Sequence, residues 1–72
     1  MHALTRRQRE VAALVGRGGT NREIGEALGL SERTVETYVS HILRRLGLRS
    51  RTQLALWANA LGLTDPTGED NR

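Results

Sequence analysis

Residues 21–40, NREIGEALGLSERTVETYVS, constrain the fold more than any other stretch, because they specify two helices and the bend between them. Ile24 and Leu28 stand four residues apart and share one helical face, and Gly29 follows where a left-handed backbone is least strained. Leu30 is the apolar residue of the bend. Ser31 then offers an N-cap hydroxyl to the free amides of the next turn, and Val35, Val39, Ile42 and Leu46 carry a second apolar stripe at helical spacing. The pattern predicts two helices meeting at an angle, the second with a polar face turned outward.

The flanks add two more helices. Thr5 and Gln8 form a T-x-x-Q capping box, and Val11, Leu14 and Val15 make an apolar stripe that stops at Gly16, Gly18 and Gly19, predicting a helix over roughly 6–16. Thr20 and Glu23 form a second box, opening a two-turn helix over about 21–28. The third helix runs from Glu32 to about Leu46, roughly 22 Å at 1.5 Å per residue, with Gly47 after it. Ser50 and Gln53 form a third box and start a fourth helix through about Leu61, its inward set being Leu54, Ala55, Ala58 and Leu61, with Gly62 as the stop.

No strand pattern appears, so the expected class is all-α: a compact four-helix domain over 1–63 containing a helix-turn-helix. Phe is absent, which makes the expected core aliphatic: Leu4, Val11, Leu14, Val15, Ile24, Leu28, Leu30, Val35, Val39, Ile42, Leu46, Leu54 and Leu61. Gly25, inside the second helix, looks like a defect of about 1 kcal/mol in helix propensity. Residues 64–72, TDPTGEDNR, offer no apolar side chain, and ordering them would gain no burial to offset the entropy lost; a disordered polar tail is expected.

A 72-residue chain has one small core, near the size at which net stability is only about 3–5 kcal/mol without a staple or partner. Dimerisation is a natural supplement. Cysteine is absent and only His2 and His41 offer imidazoles, so neither a metal nor a cofactor is expected. No apolar run approaches the roughly 18 residues of a membrane span, and the N-terminus lacks a signal-peptide core, which leaves the cytoplasm as the default compartment. Catalysis is not expected either. Neither His accompanies a Cys nucleophile or a spaced carboxylate pair, and the glycines at 16, 18 and 19 follow a helix rather than a strand. Nothing in the chain suggests a small-molecule site.

Charge is unevenly placed: residues 1–63 hold ten Arg against five Glu, whereas 64–72 hold one Arg against three acids. Every basic side chain of the folded part is Arg, which can grip a phosphate through two parallel hydrogen bonds. A polyanionic partner is therefore favoured over an ordinary solvated surface. With Val35, Val39, Ile42 and Leu46 inward, steps of 100° put Arg33, Thr37, Ser40 and Arg44 at the middle of the opposite face, with Glu36 and His41 on its two flanks. Such a face suits a helix laid in the major groove of double-stranded DNA. Arg33 matches guanine O6 and N7, and Glu36 matches a cytosine amine or orients a neighbouring Arg. Periodicity alone does not separate this from a solvated helix surface.

At LTRRQREV (residues 4–11) and TNREIGEALGLSERTVETYVSHILRRLGLRSRTQLA (residues 20–55), with the spacing between them, the chain resembles the DNA-binding domain of LuxR-type (LuxR/FixJ) bacterial transcription regulators over about residues 4–61. The resemblance implies a C-terminal output module of a larger response regulator that binds inverted-repeat DNA as a homodimer through its fourth helix, with RNA polymerase as a further partner. Since Met1 stands only three residues before the domain, an excised module is expected rather than a natural short regulator. Carried over by position, base-reading sites fall at Glu36, Thr37 and Ser40, to which the helical wheel adds Arg33. Phosphate contacts fall at Thr20, Asn21, Arg22, Thr34, Arg44, Arg49 and Arg51, with His41 on the adjoining flank. Leu56 and Trp57 are the dimer-interface candidates, the alternative for Trp57 being a side chain that caps the core.

Several positions depart from the family pattern. Glu36 stands where many members place Lys, Gly25 where Ala is common, Gln8 where Glu is usual and Arg6 where Pro is usual. Two rival functions share the fold: a sigma region-four-like module that reads a promoter element, and a helix-turn-helix kept as a protein-interaction domain. The fourth capped helix after LGLRS argues against the first.

Overall fold

A computed structural model describes residues 4–63; the segment read as a disordered tail, 64–72, and His2 lie outside the described residues. Four helices fill that span, α1 (Arg6–Gly16), α2 (Asn21–Leu28), α3 (Glu32–Leu46) and α4 (Arg51–Ala60), and no strand occurs among the described residues. The fold is the expected all-α domain with a helix-turn-helix at α2 and α3.

The helix starts follow from local chemistry. Thr5 Oγ1 accepts from the Gln8 amide at 3.1 Å while Gln8 Oε1 accepts from the Thr5 amide at 3.0 Å. Thr20 and Glu23 repeat the exchange at 3.1 and 2.9 Å. Each box satisfies two amides that a helix start otherwise leaves open, and losing such a cap costs about 1 kcal/mol. The third box differs. Ser50 Oγ accepts from Gln53 N at 3.2 Å, but Gln53 Oε1 reaches back one residue further, to the Arg49 amide at 2.7 Å. Ser50 is more extended than the other caps, φ −148° against −70° at Thr5 and −81° at Thr20, which turns its own amide away.

α1 lies at the centre of the packing, pairing most extensively with α4 and also touching α3, while α2 pairs with α3. The core is Leu4, Val11, Ala12, Val15, Ile24, Val35, Val39, Ile42, Leu54 and Ala58, all buried. Leu14, Leu28, Leu30 and Leu46, expected inside, are partly buried and pack against that cluster, as do Tyr38, Leu43, Leu48, Ala55 and Trp57. Leu61 is a correction. It was expected inward, but α4 ends at Ala60, Leu61 is the C-cap, and the chain turns at Gly62 with φ 73°, so Leu61 stays 50% exposed.

Gly25 is the other revision. Its carbonyl accepts from Leu30 N at 2.8 Å at the bend, and a Cβ on Gly25 would stand 2.5 Å from the Leu30 carbonyl oxygen. The missing side chain is what lets the end of α2 close on the bend, with Gly29 in the left-handed region at φ 73°. Helix propensity alone misjudges this position.

Candidate nucleic-acid interface

α3 is held from one side only. Val35 and Ile42 are fully buried and Val39 nearly so, which fixes the helix rotation and turns Arg33, Glu36, Thr37, Ser40 and Arg44 to solvent. Arg33, Thr37, Ser40 and Arg44 follow one another at steps of four, three and four residues and span about 16 Å along the axis. No ion pair engages Arg33, Glu36 or Arg44 among the described residues, the pairs there being Arg6–Glu10, Arg7–Glu10 and Arg22–Glu26.

The hydroxyls on α3 are not equivalent. Thr37 Oγ1 donates to the Arg33 carbonyl at 3.3 Å, leaving its lone pairs and methyl group outward, so it can accept from a base amine or pack on an apolar edge. Thr34 Oγ1 accepts from Ser31 Oγ at 2.8 Å, while its amide donates to the same Ser31 oxygen at 3.0 Å. That leaves the Thr34 hydroxyl proton for an acceptor such as a phosphate oxygen. His41 is exposed seven residues on from Thr34, on the same flank. Arg45, exposed four residues beyond His41, continues that flank at its edge, where helical spacing from the middle of the face does not single it out. Glu32 in the first turn and Arg44 and Arg45 in the last also complement the helix dipole, so part of the charge at the end of α3 stabilises the helix itself.

The remaining phosphate candidates lie at the starts of α2 and α4. The Thr20 hydroxyl accepts from the Glu23 amide as the α2 cap, which leaves its proton to donate. Arg22 is exposed and its Nε lies 3.6 Å from Glu26 Oε2, an exposed pair worth only about 0.3–0.5 kcal/mol and readily exchanged for another anion. Arg49 is exposed. Asn21 and Arg51, thirty residues apart, meet: Arg51 Nη1 donates to Asn21 Oδ1 at 2.6 Å, and Arg51 Nη2 donates to the Gly19 carbonyl at 2.7 Å. Sequence spacing carried no sign of that contact.

On α4, Leu56 is 64% exposed, whereas Trp57 is half-buried and packs against the core. The two interface candidates therefore differ, and Leu61 adds a second exposed aliphatic side chain near the helix end. Asn59, which the sequence did not single out, donates to the Gly16 carbonyl at 3.2 Å and to Ala55 O at 2.9 Å. Among the described residues no cluster of three or more His, Asp or Glu is placed to hold a metal, and no helix is long and apolar enough to cross a membrane.

The family model described as bacterial regulatory proteins, luxR family, matches residues 2–58. The chain is 38% identical over 69 residues to the DNA-binding transcriptional activator DevR/DosR of Mycobacterium tuberculosis, covering 96% of this chain and 32% of that protein. It is 51% identical over 53 residues to the transcriptional regulatory protein DegU of Brevibacillus brevis, covering 74% of this chain and 22% of that one. With the transcriptional regulatory protein LiaR of Bacillus subtilis the identity is 42% over 57 residues, 79% of this chain and 27% of LiaR. The chain thus spans a third or less of each of these relatives.

Proposed function

The chain belongs to the luxR family of bacterial regulatory proteins, and on that premise we propose that it binds double-stranded DNA sequence-specifically, in transcription regulation, with α3 in the major groove. The observation that carries this reading is the solvent-facing stripe Arg33, Thr37, Ser40 and Arg44 on a helix whose opposite face is locked in the core. In this reading Arg33, Glu36, Thr37 and Ser40 face base edges. Thr20, Asn21, Arg22, Thr34, His41, Arg44 and Arg49 lie along the phosphates, with Arg51 behind Asn21.

A carboxylate at Glu36 can only accept, so in the groove it favours base pairs that present an amine and disfavours those that present carbonyl oxygens. Its value is discrimination rather than affinity, since it adds negative charge beside phosphates. Two copies joined through α4 at Leu56 would set their α3 helices about one DNA turn, roughly 34 Å, apart on an inverted repeat. The domain, residues 1–63, would serve as the output module of a cytoplasmic regulator, and contact with RNA polymerase would belong to the assembled regulator.

A gel shift against a random duplex pool tests the reading. Specific complexes should survive at physiological salt, and log affinity should fall linearly with log salt at about 0.9 per phosphate contact. Retention without sequence enrichment would leave non-specific DNA binding, and no retention would favour a helix-turn-helix kept as a protein-interaction domain.

A further inference from the structure

We infer that Arg51 is a positioning residue, whose guanidinium ties the start of α2 to the start of α4 instead of gripping a phosphate. Among the described residues α2 and α4 do not pack directly against each other. The Arg51 side chain spans that gap, with one Nη on Asn21 Oδ1 at 2.6 Å and the other on the Gly19 carbonyl at 2.7 Å. Both bonds are charge-assisted and the guanidinium fork is planar, so together they fix orientation as well as distance. The guanidinium is half-buried, unlike the exposed Arg22, Arg33, Arg44 and Arg49.

The segment it holds is already confined from the other side. Gly19 N donates to Leu14 O at 3.0 Å, and a Cβ on Gly19 would stand 3.1 Å from that oxygen and 3.3 Å from the Ile24 side chain. Two turns further along α4, Asn59 donates to the Gly16 carbonyl. α4 thus holds the α1–α2 connection at both ends, Gly16 and Gly19. The consequence rests on the DNA-binding reading above. The start of α2 carries Thr20, Asn21 and Arg22, and α4 carries Leu56, so the tether sets the α2 start of one copy relative to the surface that would join it to the next.

The chemistry separates a tether from a phosphate grip. A phosphate accepts a point charge, so Arg51→Lys would largely keep the grip, whereas a lysine ammonium cannot reproduce two bonds to acceptors in one plane. The test uses the whole chain and the duplex selected from a random pool. The expected result is that Arg51→Lys and Arg51→Ala each weaken binding by about tenfold, the scale of a lost charged hydrogen bond, with the salt slope unchanged. Asn21→Ala would also remove a phosphate contact, so the coupling of the two side chains is read from melting rather than from affinity.

Rescue by Lys, with a slope smaller by about one in Arg51→Ala, would overturn the proposal. A second readout needs no DNA. Melting of the single and double variants should be strongly non-additive, each single change lowering Tm by about 4–8 °C and the pair little more. Additive melting would overturn the tether whatever the DNA result. A wild-type chain that binds no duplex while its melting stays non-additive would refute the DNA reading and keep the tether.

Discussion

The outward face of α3 and the corner where α1, α2 and α4 meet use the same kinds of side chain in opposite ways. Arg33, Glu36 and Arg44 make no ion pair among the described residues and face solvent. At the corner, Arg51 and Asn59 turn back onto carbonyls of the α1–α2 connection. An arginine is therefore no sign of function by type or spacing alone. What separates the two regions is whether the polar group already has a partner: a satisfied donor holds the fold together, and an unsatisfied one facing water is available to a ligand.

The contrast breaks most completely if the core that supports both regions is removed. Leu54 is fully buried in the core cluster, and Leu54→Ala should cost about 2–5 kcal/mol, enough in a domain this small to unfold much of the population at room temperature. Circular dichroism melting measures it, and a near-normal Tm would mean the α1–α4 contact is not the main support.

Gly25→Ala is next. Helix propensity alone predicts a gain of about 1 kcal/mol, while a Cβ placed 2.5 Å from Leu30 O predicts a net loss of about 1–3 kcal/mol as the bend is forced open. A lower Tm with weaker DNA binding fits the close approach; a higher Tm would show that the bend yields freely.

On α4 the two interface candidates should part. Trp57 packs against the core, so Trp57→Ala should lower Tm by more than 4 °C, the shift that about 1 kcal/mol makes in a domain of this size. Leu56, 64% exposed, should leave Tm nearly unchanged on conversion to Ser and instead weaken binding to a two-half-site duplex relative to a single half-site. Equal losses at both kinds of site would remove Leu56 from the dimer contact. The smallest effect is expected at Arg22, whose exposed pair with Glu26 holds nothing in place. Arg22→Ala should weaken all sequences alike and lower the salt slope by about one, with no measurable change in Tm.

The helices were legible because their ends are written locally. Thr5 with Gln8, Thr20 with Glu23 and Ser31 with Thr34 exchange bonds across three residues, a range at which sequence and contact coincide. The exposed stripe on α3 was legible for a similar reason, since steps of 100° from Val35 and Ile42 leave only one place for Arg33 and Ser40. Arg51 with Asn21 and Gly25 against Leu30 were not, and for Trp57 the sequence left interface and core cap both open. Each depends on how close one backbone comes to another after packing. Ala12 escaped for the complementary reason, its burial following from the tight approach of neighbours rather than from its own hydrophobicity.

In the proposed reading Arg33, Thr37 and Ser40 read bases while the corner residues hold the frame. Selection of bound duplexes from a random pool by the wild-type chain, beside Arg33→Ala, Thr37→Ala and Ser40→Ala, tests it most directly. The expected result is an enriched motif for the wild type and a different preferred base at one position for each variant, a discrimination of about 1–3 kcal/mol per pair, with melting unchanged. An identical motif from all four proteins, or none from any, would contradict it.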